Sequence, residues 1–174
     1  MTQTCEIAQL GATVLRQQAE LVEKVDSHDI LQIIKDMQTT LVSTQGVGLA
    51  APQINHSKRI IIVASRPTTR YPTAPQMQPT VMINPAFENL SNEMEKDWEG
   101  CLSIPGIRAL VPRYKRINVH YNDEQGKQVE LELQGFIARV FQHEADHLDG
   151  KVYLDRVENS LDIISESEYL KLFA

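Results

Sequence analysis

The residues best suited to chemistry stand in one short run, His143-Glu144-Ala145-Asp146-His147. On a helix, positions i and i+4 share a face, so two imidazoles at that spacing reach one metal ion from consecutive turns. Glu144 projects about 100° round the axis from His143. From there it can contact a water held by the ion rather than the ion itself. This is how a His-Glu-x-x-His helix supplies two ligands and a proton-transfer group to a metalloprotease. The competing reading is two solvent-facing histidines on a charged helix face that also carries Asp146 and Asp149. Two of the chain's five histidines fall in this motif, whereas His28, His56 and His120 stand in no ligand-like spacing.

Two ligands do not complete a catalytic centre, which takes three protein ligands and keeps one position open. No histidine follows His147, and Glu158 and Glu166 lie downstream without a recognisable motif. Cys101, in Glu99-Gly100-Cys101-Leu102-Ser103, is the better candidate, because a thiol beside a divalent metal is deprotonated and binds strongly. Alone, it would read as a small buried hydrophobe. Cys5, the other cysteine, reads as incidental. A Cys-His-His set specifies a divalent metal but not which one, since the affinity order favours zinc over iron.

These residues need a scaffold. Asp26 and Ser27 offer an N-cap, Ile30, Ile33, Ile34, Met37 and Leu41 follow at helical spacing, and Gly46 stops the run, which predicts an amphipathic helix. Gly135 to Asp149 predicts a second, with Phe136, Ile137, Val140, Phe141 and Leu148 on its buried face and Gly150 just beyond its end. Ala12 to Val25 suits a short helix or helical turn. Arg59 to Ala64 is a β-branched run that reads as a buried strand, and Val81 to Glu88 is another, interrupted by Pro85. Arg116 to Tyr121 and Gln128 to Leu133 alternate around Asn122 to Gly126 and read as a hairpin. Pro67 to Pro79 reads as an exposed loop, and Lys151 to Leu154 as a short strand or extended piece. Strands and helices do not alternate in a βαβ rhythm. The expected fold is therefore α+β: one domain over residues 1–174, a mostly antiparallel sheet packed around the metal-binding helix, and an acidic tail over about 156–174.

The 174 residues carry a net charge of -6, with 42% hydrophobic and 23% charged residues. That mix suits a globular chain with a real core. Its acidity gives no overall attraction to nucleic acid or an anionic membrane. Arg108, Arg113, Lys115 and Arg116 cluster, and the bland reading is a solvated strand edge. No apolar run approaches the roughly 18 residues of a membrane span, and the N-terminus does not read as a signal peptide. Both point to a soluble, cytoplasmic protein.

Three segments together resemble the peptide deformylase family, in that family's order. They are Gly46-Val47-Gly48-Leu49-Ala50-Ala51-Pro52-Gln53, Glu99-Gly100-Cys101-Leu102-Ser103 and Gln142-His143-Glu144-Ala145-Asp146-His147. Leu10 to Arg16 and Ile104 to Arg113 are similar to it as well, so the resemblance spans roughly residues 7 to 155. It implies removal of the formyl group from the N-terminal methionine of newly made peptides, releasing formate. It implies Cys101, His143 and His147 as ligands of one divalent ion, ferrous in the cell, with zinc, nickel or cobalt able to replace it in preparations. Glu144 would take a proton from water and later pass it to the leaving amine. Negative charge on the formyl oxygen would meet the Gln53 side-chain amide and the Leu102 backbone N–H. Gly48 would let the substrate backbone come close, the peptide pairing there as an added strand. Val47, Phe136 and Val140 match the family's methionine pocket, though plain core positions explain them too. A Glu99–Arg113 ion pair would fix the Cys101 loop, and Arg108 would touch the peptide further from the metal.

The chain departs from the family in two places. Asn55 stands where the family often has glycine, and asparagine tolerates the left-handed conformation. The tail is acidic (Glu158, Asp162, Glu166, Glu168), whereas many bacterial members end in a basic helix linked to ribosome docking, so any transient ribosome contact should differ. Three other readings remain. A zinc endopeptidase would call for a third ligand downstream. A structural metal site would call for four ligands and leave Glu144 without a role. A non-catalytic homologue would bind formyl peptides without turning them over.

Overall fold

The computed structural model describes residues 4–68 and 71–173. The chain runs through β1 (Gly48–Ala50), β2 (Ile60–Ser65), β3 (Met77–Asn89), β4 (Met94–Cys101), β5 (Ile104–Tyr114), β6 (Arg116–Asn122), β7 (Gln128–Gln134) and β8 (Ile163–Ser165). Three α-helices join them: α1 (His28–Val42), α2 (Gly135–Leu148) and α3 (Glu166–Lys171). The strands form two sheets, one in the order β1-β2-β3-β6-β7 and one in the order β4-β5-β8. Every strand pairing in both is antiparallel. The expected α+β architecture is present, with α2 at its centre.

Strand periodicity explains the layering. In β2, Ile61 and Val63 point to one face and pack with Phe141, Ala145 and Leu148 of α2. Ile60 and Ile62 point to the other and pack with Ile33, Ile34, Met37 and Leu41 of α1. A run buried on both faces reads as continuously apolar, and β2 is buried throughout. The larger sheet is thus sandwiched between two helices. The far side of α2 meets the smaller sheet, where Ile104, Ala109 and Val111 of β5 pack with Val152 and Tyr153. No helix among the described residues is long and apolar enough to cross a membrane.

Both predicted long helices form close to their expected bounds, and the Ser27 side chain accepts from the Ile30 N–H at the start of α1. The expected hairpin β6–β7 is present, paired from Arg116↔Gln134 to Asn122↔Gln128, and β3 is irregular where Pro85 interrupts it, shifting between Ile83 and Ala86. Asn55 takes the left-handed conformation at φ 65°.

The helical turn expected within Ala12 to Val25 is a 3-10 turn at Thr13–Arg16. Beyond it the backbone is drawn out by neighbouring chain, with the Ala19 N–H donating to the Leu148 carbonyl (2.8 Å) and the Glu20 N–H to Ser57 (3.0 Å). Lys151 to Leu154 is not a strand; Tyr153–Arg156 is a 3-10 turn. The segment Pro67 to Pro79 is not simply an exposed loop. Ala74 is buried, Tyr71 packs on Phe136, and Met77 onward joins β3; residues 69–70 lie outside the described residues. Finally, Arg108 and Arg113 are no solvated edge, being 3% and 4% exposed.

Candidate metal centre

The centre assembles where α2 crosses the tight connection between β4 and β5. Cys101 ends β4, Ile104 begins β5, and the two are paired across a two-residue turn, Leu102-Ser103. That turn delivers the Cys101 thiol to α2, where His143 and His147 share a face. The three donor atoms all lie within 4.8 Å of one another. Cys101 Sγ is 3.4 Å from His147 Nε2. His143 Nδ1 donates to Glu99 Oε2 (2.9 Å), which leaves its Nε2 for the centre and fixes the ring's orientation. The His143 ring also stacks on Tyr153, with ring centroids 5.9 Å apart. His143, Glu144 and His147 are all buried, so the reading of α2 as a charged solvent face does not hold.

The electrostatics suit a cation. Burial pushes the Cys101 thiol up, but the two imidazoles beside it outweigh burial and hold it well below its ordinary value. Burial also disfavours the charged form of His143, yet Cys101 and Glu99 raise its pKa well above the usual imidazole range. Among the described residues, Glu144 Oε2 and His147 Nδ1 are buried polar atoms without a protein hydrogen-bond partner. A thiolate, two imidazoles and an adjacent orphaned carboxylate oxygen fit a divalent metal with one open position for water.

Glu144 is buried against Gly48. A Cβ at residue 48 would fall within 2.8 Å of the Glu144 Cγ and Cδ, so only glycine leaves room for this carboxylate. Burial raises the Glu144 pKa to about 7, with Cys101 and Glu99 adding to the rise and the two imidazoles opposing it. Gln53 is 1% exposed. Its Oε1 accepts from the Ala50 N–H (2.9 Å), which turns its Nε2 toward Ser103 Oγ (3.2 Å) and Cys101 Sγ (3.5 Å). A donor therefore faces the centre.

A pocket opens from the centre. Val47, Gly48, Gln53, Cys101, Leu102, Phe136, Val140, His143 and Glu144 all line it, as do Tyr71, Arg108 and Glu166. Of the site residues singled out from the sequence, His147, which is fully buried, and Arg113, the partner of Glu99, are the two that do not line it. Arg108 differs from expectation in its partner: its guanidinium is held by Glu166 of the tail (2.9 Å).

The fold matches known proteins. The family model described as polypeptide deformylase covers residues 4–162. This chain belongs to the polypeptide deformylase family. Peptide deformylase 2 of Nostoc sp. is 51% identical over 166 residues, covering 95% of this chain and 93% of the relative. Peptide deformylase 1 of Bordetella pertussis is 45% identical, covering 88% and 87%. Among solved structures, the Met-Ala-Ser-bound class I type b peptide deformylase from Acinetobacter baumannii superposes with a TM-score of 0.87 at 43% identity. It covers 90% of this chain and all of that one. The Thermotoga maritima peptide deformylase superposes at 0.79 with 38% identity, covering 90% and 99%.

A buried charge network supports the deformylase centre. Glu99 accepts from Arg113 Nε (2.9 Å) and Nη2 (3.0 Å), from Arg139 Nη1 (2.9 Å) and from His143. Burial would raise the Glu99 carboxyl, but Arg113 and His143 outweigh it and hold the group well below the usual carboxylate range. Arg113 also donates to Asp146 (2.6 Å), which Arg156 grips from the other side (2.7 Å). The Glu99–Arg113 pair was legible in the sequence; Arg139, Asp146, Tyr71, Ser103 and Glu166 were not. One signal was available for the network. Ala109, Val111 and Arg113 alternate along β5, and an arginine in phase with two buried apolar residues needs a buried partner.

Proposed function

We propose that this protein removes the N-formyl group from the N-terminal methionine of newly synthesised peptides and releases formate. The observation that carries this is the convergence of Cys101, His143 and His147 beside a buried Glu144 at the head of a partly apolar pocket, in a chain of the deformylase family.

Cys101, His143 and His147 would hold a divalent cation, which would supply water of lowered pKa and polarise the formyl carbonyl. Glu144, buried beside the centre, accepts the water's proton and returns it to the departing amine. Gln53 Nε2, aimed by the Ala50–Gln53 hydrogen bond, and the Leu102 backbone N–H at the turn donate to the formyl oxygen as charge develops on it. Val47, Phe136 and Val140 take the methionine side chain, Gly48 takes the peptide backbone, and Arg108 lines the same pocket. The family resemblance supports a ferrous ion in the cell, work on nascent chains in the cytoplasm and transient contact with the ribosome. Because Glu166 and β8 are tied into the fold, that contact uses a surface other than a free basic tail.

The test is formate release from formyl-Met-Ala-Ser by anaerobically purified protein, with Glu144→Ala alongside. Release by the wild type, and its loss in a variant that retains metal, supports the reading. No release from metal-loaded wild type overturns it.

A further inference from the structure

The two donors assigned to the formyl oxygen stand on separate turns of the chain. Gln53 lies in the 3-10 turn Ala51–Ile54. Leu102 lies in the two-residue turn after β4, where the β4–β5 register shifts between Glu99 and Cys101. Regular strand pairing therefore fixes neither donor. Within the site, a hydrogen bond from Gln53 Nε2 to Ser103 Oγ (3.2 Å) joins the two turns.

One segment near the N-terminus grips both turns. The Ala8 N–H donates to the Gln53 carbonyl (2.8 Å), and the Leu10 N–H to the Ser103 carbonyl (2.9 Å). Between them, the Gln9 side chain donates to the Leu102 carbonyl (3.4 Å) and to the Ile7 carbonyl (3.2 Å). Ala8, Gln9 and Leu10 lie outside the pocket lining, so the segment holds the turns without entering the substrate space.

This strap is anchored on both sides of the grip. Cys5 and Ile7 pack against the α1 cluster, and the Cys5 N–H donates to Thr40 Oγ1 (2.9 Å). After Leu10 the chain reverses. Gly11 has φ +107°, the Ala12 N–H donates to the Gln9 carbonyl (2.9 Å), and Leu15 beyond it is fully buried. The strap thus presents its donors at fixed points.

A peptide unit is a rigid plane. Holding the Leu102 and Ser103 carbonyls sets the turn that aims the Leu102 N–H. Holding the Gln53 carbonyl sets the base from which its side-chain amide projects. Oxyanion donors act by being aimed in advance at the place where charge develops, and a misplacement of about 1 Å can cost about a hundredfold in rate.

We propose that the N-terminal strap, residues 8–10, is a positioning element for catalysis: it clamps the Gln53 turn to the Leu102–Ser103 turn and so holds the two oxyanion donors in register. This rests on the deformylase reading and deepens it.

The test uses the full-length, metal-loaded protein. Leu10 precedes Gly11 in the turn closed by Ala12 and Gln9, a place where proline suits the backbone. Leu10→Pro therefore removes the donor to Ser103 and keeps the turn. It should lower kcat for formyl-Met-Ala-Ser about tenfold or more. KM, bound metal per chain and calorimetric binding of Met-Ala-Ser, which has no formyl oxygen, should stay within about twofold of wild type. Ala8→Pro removes the donor to Gln53 and should act likewise. In a Gln53→Ala background the effect of Ala8→Pro should vanish, because no amide remains to be aimed, while that of Leu10→Pro persists. Gln9→Ala alters only an exposed side chain and should lower kcat about threefold, which keeps the proposal refutable if a proline variant does not fold. Turnover unchanged in the folded variants, or kcat lost together with metal and Met-Ala-Ser binding, would mean that the strap only supports the fold. Either result, with an active wild type, overturns this inference alone; wild type that releases no formate overturns the functional reading beneath it.

Discussion

Glu144 carries a carboxylate in a place where burial works against charge, and its pKa near 7 follows from that. The sign of the consequence for stability can be worked out. A carboxyl at about 7 in the folded chain, against 4.5 ordinarily, takes up a proton on folding, so it penalises the fold as pH rises between those values. In metal-free protein, Glu144→Gln should therefore raise the unfolding free energy measured in urea at pH 8, by at most about 3 kcal/mol, and leave it unchanged at pH 4. An equal effect at both pH values would mean that charge burial is not the cause. The same substitution should cost about two to four orders of magnitude in formate release, the usual contribution of a positioned acid–base group. Gly48→Ala tests the neighbouring contact. Its methyl group would displace Glu144, so kcat should fall more than tenfold while the bound metal per chain, measured by elemental analysis, stays the same.

The decisive element is α2, which serves two layers at once. Its apolar face packs on the large sheet, while Arg139, Gln142 and Asp146 anchor it to the small one. Arg139 donates to the Val111 (2.7 Å) and Glu95 (2.6 Å) carbonyls, and Gln142 brackets Tyr114 with bonds to its N–H (3.0 Å) and carbonyl (2.9 Å). Removing one member of a buried ion network leaves its partners uncompensated. Arg113→Met, which leaves Glu99 with Arg139 and His143 and Asp146 with Arg156 alone, should cost about 3 kcal/mol by chemical denaturation. The chain's exit from α2 is equally constrained. Gly150 has φ +69°, and a Cβ there would fall 2.8 Å from the Arg16 backbone. Gly150→Ala should lower stability by about 1–3 kcal/mol. The α2 helix itself was legible as a periodic pattern between a strand and a glycine. Strands β4 and β5 were not, because β5 carries Pro105, Gly106 and Pro112, and β4 is a charged, mostly exposed strand.

On the scale of the whole molecule, the proposed metal ligands Cys101, His143 and His147 come from the small sheet and the central helix, so an ion bound there would bridge two layers. Binding to the folded state alone stabilises by mass action, about 2.7 kcal/mol at a hundredfold excess over Kd. Metal-loaded protein should thus melt about 5–10 °C above chelator-treated protein. Cys101→Ser and His147→Ala should abolish most of that difference, and a shift that survives both substitutions would place the stabilising ion elsewhere. What the sequence determined by itself is local. A spacing of four residues on a helix sets two imidazoles on one face whatever the surroundings, and the apolar period of α1 and the alternation of β6 and β7 need no distant partner to be read. What only the tertiary structure decided is every pairing across the chain: Glu99 with His143 at 44 residues' separation, Arg113 with Asp146 at 33, and Arg108 with Glu166 at 58. Such partners are selected by sheet register and by how layers stack, and a charged residue looks the same in sequence whether its counter-charge is solvent or a buried side chain. The acidic tail shows this most clearly: its sequence assigned it no role at the site, and β8 brings Glu166 to the pocket's lining.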